Sequence, residues 1–406
     1  SGHRKEETKS HERGSTNILS VVDDRYSGLT WERSRQRDII KISLNAPLAP
    51  RESIKIFITY RVKLPPNKFT PFGYDNKNKY YLKDWYLTPA VYSNGKWSLY
   101  SNKNLEDLYT GITNTKITFK YPKGLFLASN FTEVRTNNTS FLKQSFLEGI
   151  NSKSAEIIIN PERTFTKHVT PTLTVLTDLE IPKYDPISKG ISINKVAQFI
   201  TDNLGGYPHG HLLVSNIDNQ KNPLYGLNQL PSFVRPYEDQ FQFEMEFLKT
   251  ALNSFLKETL FFDIRKDRWV YDALVNYLMI KYVDEYYEDQ KLLGKLSTIW
   301  GLRSFHLAQM DFNEQYSFLH MLTARKNLDQ SLVTANDSLI KFNQKIANRY
   351  KAGLGLAYLS EYIGEENVAK SISEFYENYK LKPVQQDDFV AILEGSTTMD
   401  IKWFNK

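Results

Sequence analysis

The chain has 406 residues and a formal net charge of +6 from 52 Lys and Arg against 46 Asp and Glu; this length exceeds one ordinary hydrophobic core, so two or three domains are expected. With 41% hydrophobic and 24% charged residues, the composition is globular rather than disordered or fibrous, and the small, dispersed positive charge leaves no footprint for nucleic acid. The absence of cysteine excludes disulfides, a thiol nucleophile and thiolate metal sites, and no run approaches the roughly 18 apolar residues of a membrane span.

Residues 1–16 are polar and nearly devoid of apolar side chains, which predicts a flexible lead-in because burial cannot offset ordering entropy there. The first residues are Ser-Gly and not Met, so a removed leader or a flanking domain stays open. From Asp38 the pattern alternates: Ile40, Ile42 and Leu44, then Ile54, Ile56, Ile58 and Tyr60, two half-buried strands separated by a Pro-containing loop. Further strands are expected at Lys116–Tyr121, Gly124–Leu127, Glu156–Ile159 and Thr172–Leu176, giving a mostly β domain over 17–183. The Ile181-Pro-Lys-Tyr-Asp-Pro stretch reads as a domain joint. Beyond it, 184–406 reads as helix-rich. Helices are predicted over Ile191–Leu204, about Asp239–Phe261 and about Trp269–Tyr287, with a strand at His211–Ser215 and an extended segment at Pro223–Phe233. The fold class is therefore α+β.

Direct chemical signals are absent. None of the seven histidines forms an i, i+4 pair, so the H-E-x-x-H zinc helix is missing. His209 and His211 would face one way in a strand, but no carboxylate pattern accompanies them, and a polar turn entering a strand accounts for the pair. His306 and His320 read as structural histidines. No Gly-x-Ser-x-Gly elbow and no phosphate loop occur. With 25 Tyr and 24 Phe, wide packed surfaces or partner contacts are expected, and Tyr282–Tyr287, Trp300, Phe305 and Tyr316 are candidate anchors.

The order of features nevertheless resembles the zinc aminopeptidase family that includes aminopeptidase N. Leu48-Ala-Pro-Arg-Glu-Ser-Ile-Lys-Ile-Phe-Ile-Thr-Tyr is similar to its first-domain strand pair, and Phe72-Gly-Tyr with Asp84-Trp-Tyr-Leu-Thr-Pro to its middle. Asn222-Pro-Leu-Tyr-Gly-Leu-Asn-Gln-Leu stands where the family carries G-x-M-E-N. Trp269-Val-Tyr-Asp-Ala-Leu-Val-Asn-Tyr resembles W-L-N-E-G-F-A-x-Y, and Arg349-Tyr-Lys-Ala-Gly resembles P-Y-x-K-G. The resemblance implies an N-terminal β domain followed by a thermolysin-like helical domain.

Carried across, the H-E-x-x-H helix falls on Leu248-Lys-Thr-Ala-Leu252, so Leu248 and Leu252 stand for the histidine ligands and Lys249 for the glutamate base. The third ligand falls on Tyr271 by count or Asp272 by motif. Gly226 is kept in the substrate strand, but its glutamate becomes Gln229 and its asparagine Leu230. Tyr350 is retained at the position of the transition-state tyrosine. Zinc catalysis needs about three protein ligands, so the resemblance implies no bound metal, no cofactor and a catalytically inactive relative. It implies a structural or binding subunit of a cell-envelope complex. One alternative is a non-cutting peptide-binding module that grips an extended chain with Gly226, Gln229 and Tyr350. The other is an active zinc metallopeptidase, which needs a histidine pair. The Tyr-, Asn- and Lys-rich, cysteine-free texture resembles secreted proteins of Bacteroidota, which implies the periplasm or outer-membrane surface and other envelope proteins as partners.

Overall fold

In the computed structural model, residues 12–35, 38–68, 72–93, 95–101, 107–182, 184–225, 235–301 and 306–404 are described. Strands dominate from Ser15 to Thr177 and helices from Pro186 onward, which is the expected α+β division. The first alternating segment forms a strand at Ile40–Ser43, whereas the second is a strand only from Phe57 to Lys63, leaving Ile54 and Ile56 outside it, and the two do not pair with each other. Ile40–Ser43 pairs with Thr30–Arg33, and Phe57–Lys63 pairs with Ser15–Val22. The polar lead-in is therefore shorter than expected: Ser15 and Thr16 already lie opposite Lys63 and Val62, and residues 1–11 fall outside the described residues. Backbone pairing carries this edge strand, whose side chains bury only Ile18 and Val21.

The strand Glu156–Asn160 is the seam of the molecule. It lies between Phe126–Ser129 and Tyr80–Lys83 in a four-stranded sheet. Successive side chains of a strand point to opposite faces. Ile157 and Ile159 accordingly join Leu82, Phe131 and Leu147 in the β-rich core, while Ile158 packs with Leu213 and Ile217 of the helical half. A second link crosses the expected joint, since Thr174–Thr177 pairs in parallel with Leu212–Val214. The change in composition near Ile181 is thus not an interruption of the sheet.

The main core is formed by the helices Pro186–Leu204, Asp239–Thr259, Arg268–Tyr286 and Asn348–Ile363. Asp185 caps the first through Ser188 N at 2.9 Å, with Pro186 opening the helix, the arrangement that satisfies an otherwise orphaned N–H. The Arg268–Tyr286 helix is buried on nearly every side, and Asn348–Ile363 lies tightly against it. A Cβ on Gly353 would stand 2.4 Å from Asn276 Cβ, so glycine sets the approach of these two helices. Among the described residues no helix is long and apolar enough to cross a membrane.

Several rings read as partner anchors are core instead. Tyr282 and Tyr316 are fully buried, because helical spacing does not distinguish an inward ring from an outward one; Trp300 is 81% exposed and Tyr286 is partly exposed. Phe305 lies outside the described residues.

Candidate functional site

The Asp239–Thr259 helix presents two faces to different surroundings. Leu248, Leu252, Phe255 and Leu256 are fully buried in the main core. Gln242, Glu246, Lys249, Asn253 and Lys257 are half-buried and recur at three- and four-residue steps, so they form one polar stripe. This stripe, and not the leucine pair, faces the cleft toward the β-rich half.

At the middle of the stripe the polar groups are linked. Lys249 Nζ donates to Pro223 O at 2.7 Å. Tyr271 donates its hydroxyl to Asn253 O at 2.5 Å and to Asn253 Oδ1 at 3.1 Å, and burial holds that phenol well above its ordinary pKa. Asn222 Nδ2 lies 3.4 Å from Asn253 Oδ1, and Arg349 donates to Asn222 Oδ1 at 3.0 Å. Asp272 is held between two arginines: Arg268 Nε lies 3.2 Å from Oδ2 and Arg349 Nε 3.8 Å from Oδ1. Both cations and the carboxylate are largely buried, where a well-placed charge-assisted pair is strong.

The other candidate positions lie elsewhere. Tyr350 packs in a separate cluster with Ile280, Tyr316 and Leu319, its ring centroid 4.6 Å from that of Tyr316. Gly226, Gln229 and Leu230 lie outside the described residues. His209 and His211 do not converge on a ligand. Each places Nε2 near a backbone carbonyl, Glu258 O at 3.2 Å and Ser129 O at 2.7 Å, and burial lowers the pKa of both. His211 thereby ties the helical half to the β-rich half, while His209 bonds the Asp239–Thr259 helix within the helical half, and both are hydrogen-bonded structural residues.

Beyond Asn253 the stripe continues into a cavity of about 130 Å³ whose walls include Lys83, Lys153, Glu156, Asp218, Lys221 and Lys257. Lys83 Nζ pairs with Glu156 at 2.6 Å and Asp218 at 3.5 Å, and Lys221 lies 3.7 Å from Asp218 and over the Phe72 ring. Burial raises the Asp218 carboxyl, but Lys83, Lys221 and Lys257 outweigh it and hold the group far below its usual range. Sequence reading missed this cluster, which gathers residues more than 170 positions apart. Its one local trace is charged Glu156 and Lys83 at the ends of strands whose central residues are apolar or aromatic.

No protein-family profile matches the chain, and no curated protein matches its sequence. Solved structures of an M1 zinc metallopeptidase from Deinococcus radiodurans do match. A point mutant of that protein superposes with TM-score 0.61 at 11% identity, covering 96% of this chain and 83% of that one. The same mutant bound to a Tyr-Ser-Ala substrate gives TM-score 0.61 at 12% identity, covering 96% and 83%. The unmutated enzyme gives TM-score 0.59 at 12% identity, covering 94% and 81%. This likeness assigns the fold, that of a two-domain M1 peptidase.

A fold of zinc peptidases implies zinc, and the residues at hand do not fit it. Among the described residues no three His, Asp or Glu side chains converge as metal ligands. Leu248 and Leu252 offer no donor atom, Lys249 brings a cation, and Asp272 is a single carboxylate already engaged by Arg268 and Arg349. No hydrolytic step through a metal can be built from this set.

Proposed function

We propose that the chain is a zinc-free, non-hydrolytic protein on an M1 aminopeptidase-like scaffold, divided at 17–183 and 184–406, that serves as a structural or binding subunit of a cell-envelope complex. The observation that carries this reading is the arginine clamp on Asp272, linked through Arg349 and Asn222 to Asn253. It also supports a register one residue later than the leucine pair. Lys249 and Asn253 then take the two histidine positions, and Asp272 follows Asn253 by nineteen residues, so spacing and motif agree. In either register at most one side chain is a good zinc ligand.

The envelope location rests on the cysteine-free, Tyr- and Asn-rich texture, and of the anchor rings expected from the sequence Trp300 and Tyr286 are exposed and open to a partner. A second reading, a non-cutting peptide-binding module, draws on the polar cavity beside Asn253. Purified protein is expected to hold no stoichiometric zinc, to leave simple aminoacyl substrates intact, and to leave gently solubilised native membranes within a larger assembly. About one zinc per chain that is lost in Asp272→Ala, together with substrate turnover, would refute the inactive reading. Recovery of the chain alone at monomer mass, with no recurrent crosslinked neighbour, would refute the subunit role.

A further inference from the structure

Lys153 and Lys257 are two lysines of the cavity wall without an ion-pair partner among the described residues. Lys153 is 8% exposed, and Lys257 is half-buried in the polar stripe. Both line the cavity. Among the described residues neither ammonium has a carboxylate within ion-pairing distance, whereas Lys83 and Lys221 share Glu156 and Asp218. Asp84 and Glu258 also line the cavity, but Glu258 is turned to Asn130 Nδ2 at 3.0 Å, and burial raises its pKa. Buried charges are ordinarily paired; Lys257 instead lies beside the Lys83 ammonium, and Lys153 and Lys257 feel Asp84, Glu156, Asp218 and Glu258 only from beyond ion-pairing distance, so neither ammonium has a counter-charge in contact.

We propose that this cavity binds one oxyanion group, a carboxylate or a phosphate, between the ammonium groups of Lys153 and Lys257. The volume of about 130 Å³ admits one such group with a short stem, well below the 300–1,000 Å³ of sites that enclose a whole drug-sized ligand. Ser154, Asn222 and Ser254 on the same walls bring neutral donors that suit an anion's remaining lone pairs. Burial, then Lys257, brings the Lys153 pKa down to about 8, and an anion seated between the two would reverse that. The inference is independent of whether the chain joins an envelope complex, because it concerns binding by the isolated protein.

Calorimetric titration of the full chain with inorganic phosphate, with succinate and with a tri-glutamate peptide tests it. The expected result is saturable one-to-one binding of at least one probe with Kd below about 1 mM. It should weaken at least about tenfold in Lys153→Met and in Lys257→Met, and stay unchanged in Lys295→Met at a distant exposed ion pair. Phosphate alone binding identifies a phosphate site; succinate or tri-glutamate binding identifies a carboxylate site. Circular dichroism confirms that each variant is folded, and Lys257→Met provides the second reading if Lys153→Met is not. Absence of saturable binding by all three probes, or equal binding by folded lysine variants, overturns the proposal.

Discussion

Replacing Leu248 and Leu252 together by histidine separates the two registers in which the Asp239–Thr259 helix can be aligned with a zinc-binding helix. Both leucines are fully buried in the main core, packed with neighbours such as Phe255 and Leu256. Removing one buried leucine side chain forfeits about 2 kcal/mol of burial. An imidazole nitrogen without a partner costs a further ~1–3 kcal/mol. The double change should therefore lose about 6–10 kcal/mol, comparable with the ~5–15 kcal/mol that holds a typical protein folded. Lys249→His with Asn253→His changes half-buried positions instead, and gives up hydrogen bonds to Pro223 and Tyr271 worth about 1 kcal/mol each. Urea unfolding should show the leucine variant largely unfolded or melting at a far lower midpoint, and the second variant within about 3 kcal/mol of the parent. Zinc titration should give uptake only in the second variant, where two imidazoles stand near Asp272, and weak uptake because Arg268 and Arg349 compete for the carboxylate. A leucine variant that folds as well as the parent and binds one zinc would refute the register and the account of the core.

Two further outcomes follow from buried charges. Glu244 is fully buried and accepts from Tyr282, Tyr287, Ser192, Gln240 and Lys195 at 2.5–2.9 Å. Burial pushes its carboxyl up, but the hydrogen bonds from Tyr282, Tyr287 and Lys195 outweigh it, and the pKa is lowered. Its contribution is therefore present above the usual carboxylate range and lost as pH falls through the folded value. Glu244→Leu should cost ~3–5 kcal/mol in urea unfolding at pH 7, and a cost under about 1 kcal/mol would show that the network is not stabilising. Lys153 has the opposite sign: with a folded pKa of about 8 against 10.5 ordinarily, the unfolded chain binds more protons between those values, so stability rises with pH across that window. Lys153→Met should raise stability at pH 7 by up to ~3 kcal/mol and flatten the rise between pH 8 and 10; a destabilised variant with an unchanged pH profile would contradict the burial of an unpaired charge.

Alternation at Ile40–Ile42 and Ile58–Tyr60 and helical spacing from Asp239 to Thr259 were enough to place strands before helices, because these patterns are set within a few residues. The order of weak motifs pointed to the zinc peptidase fold that the structural likeness supports. Strand partners were not legible: Ile40–Ser43 pairs with Thr30–Arg33, whose own side chains are all exposed and so leave no hydrophobic signature. The facing of the site helix was not legible either. Leu248 with Leu252 and Lys249 with Asn253 share the same i, i+4 spacing and lie about 100° apart around the axis, so only the elements packed on each side decide which pair meets the cleft. The cavity lysines belong to the same class of fact. Lys83, Lys153, Lys221 and Lys257 are distant in sequence, and their shared loss of water exists only once the seam strand Glu156–Asn160 is pressed against the helical half, because desolvation is a property of the assembled surroundings and not of the residue.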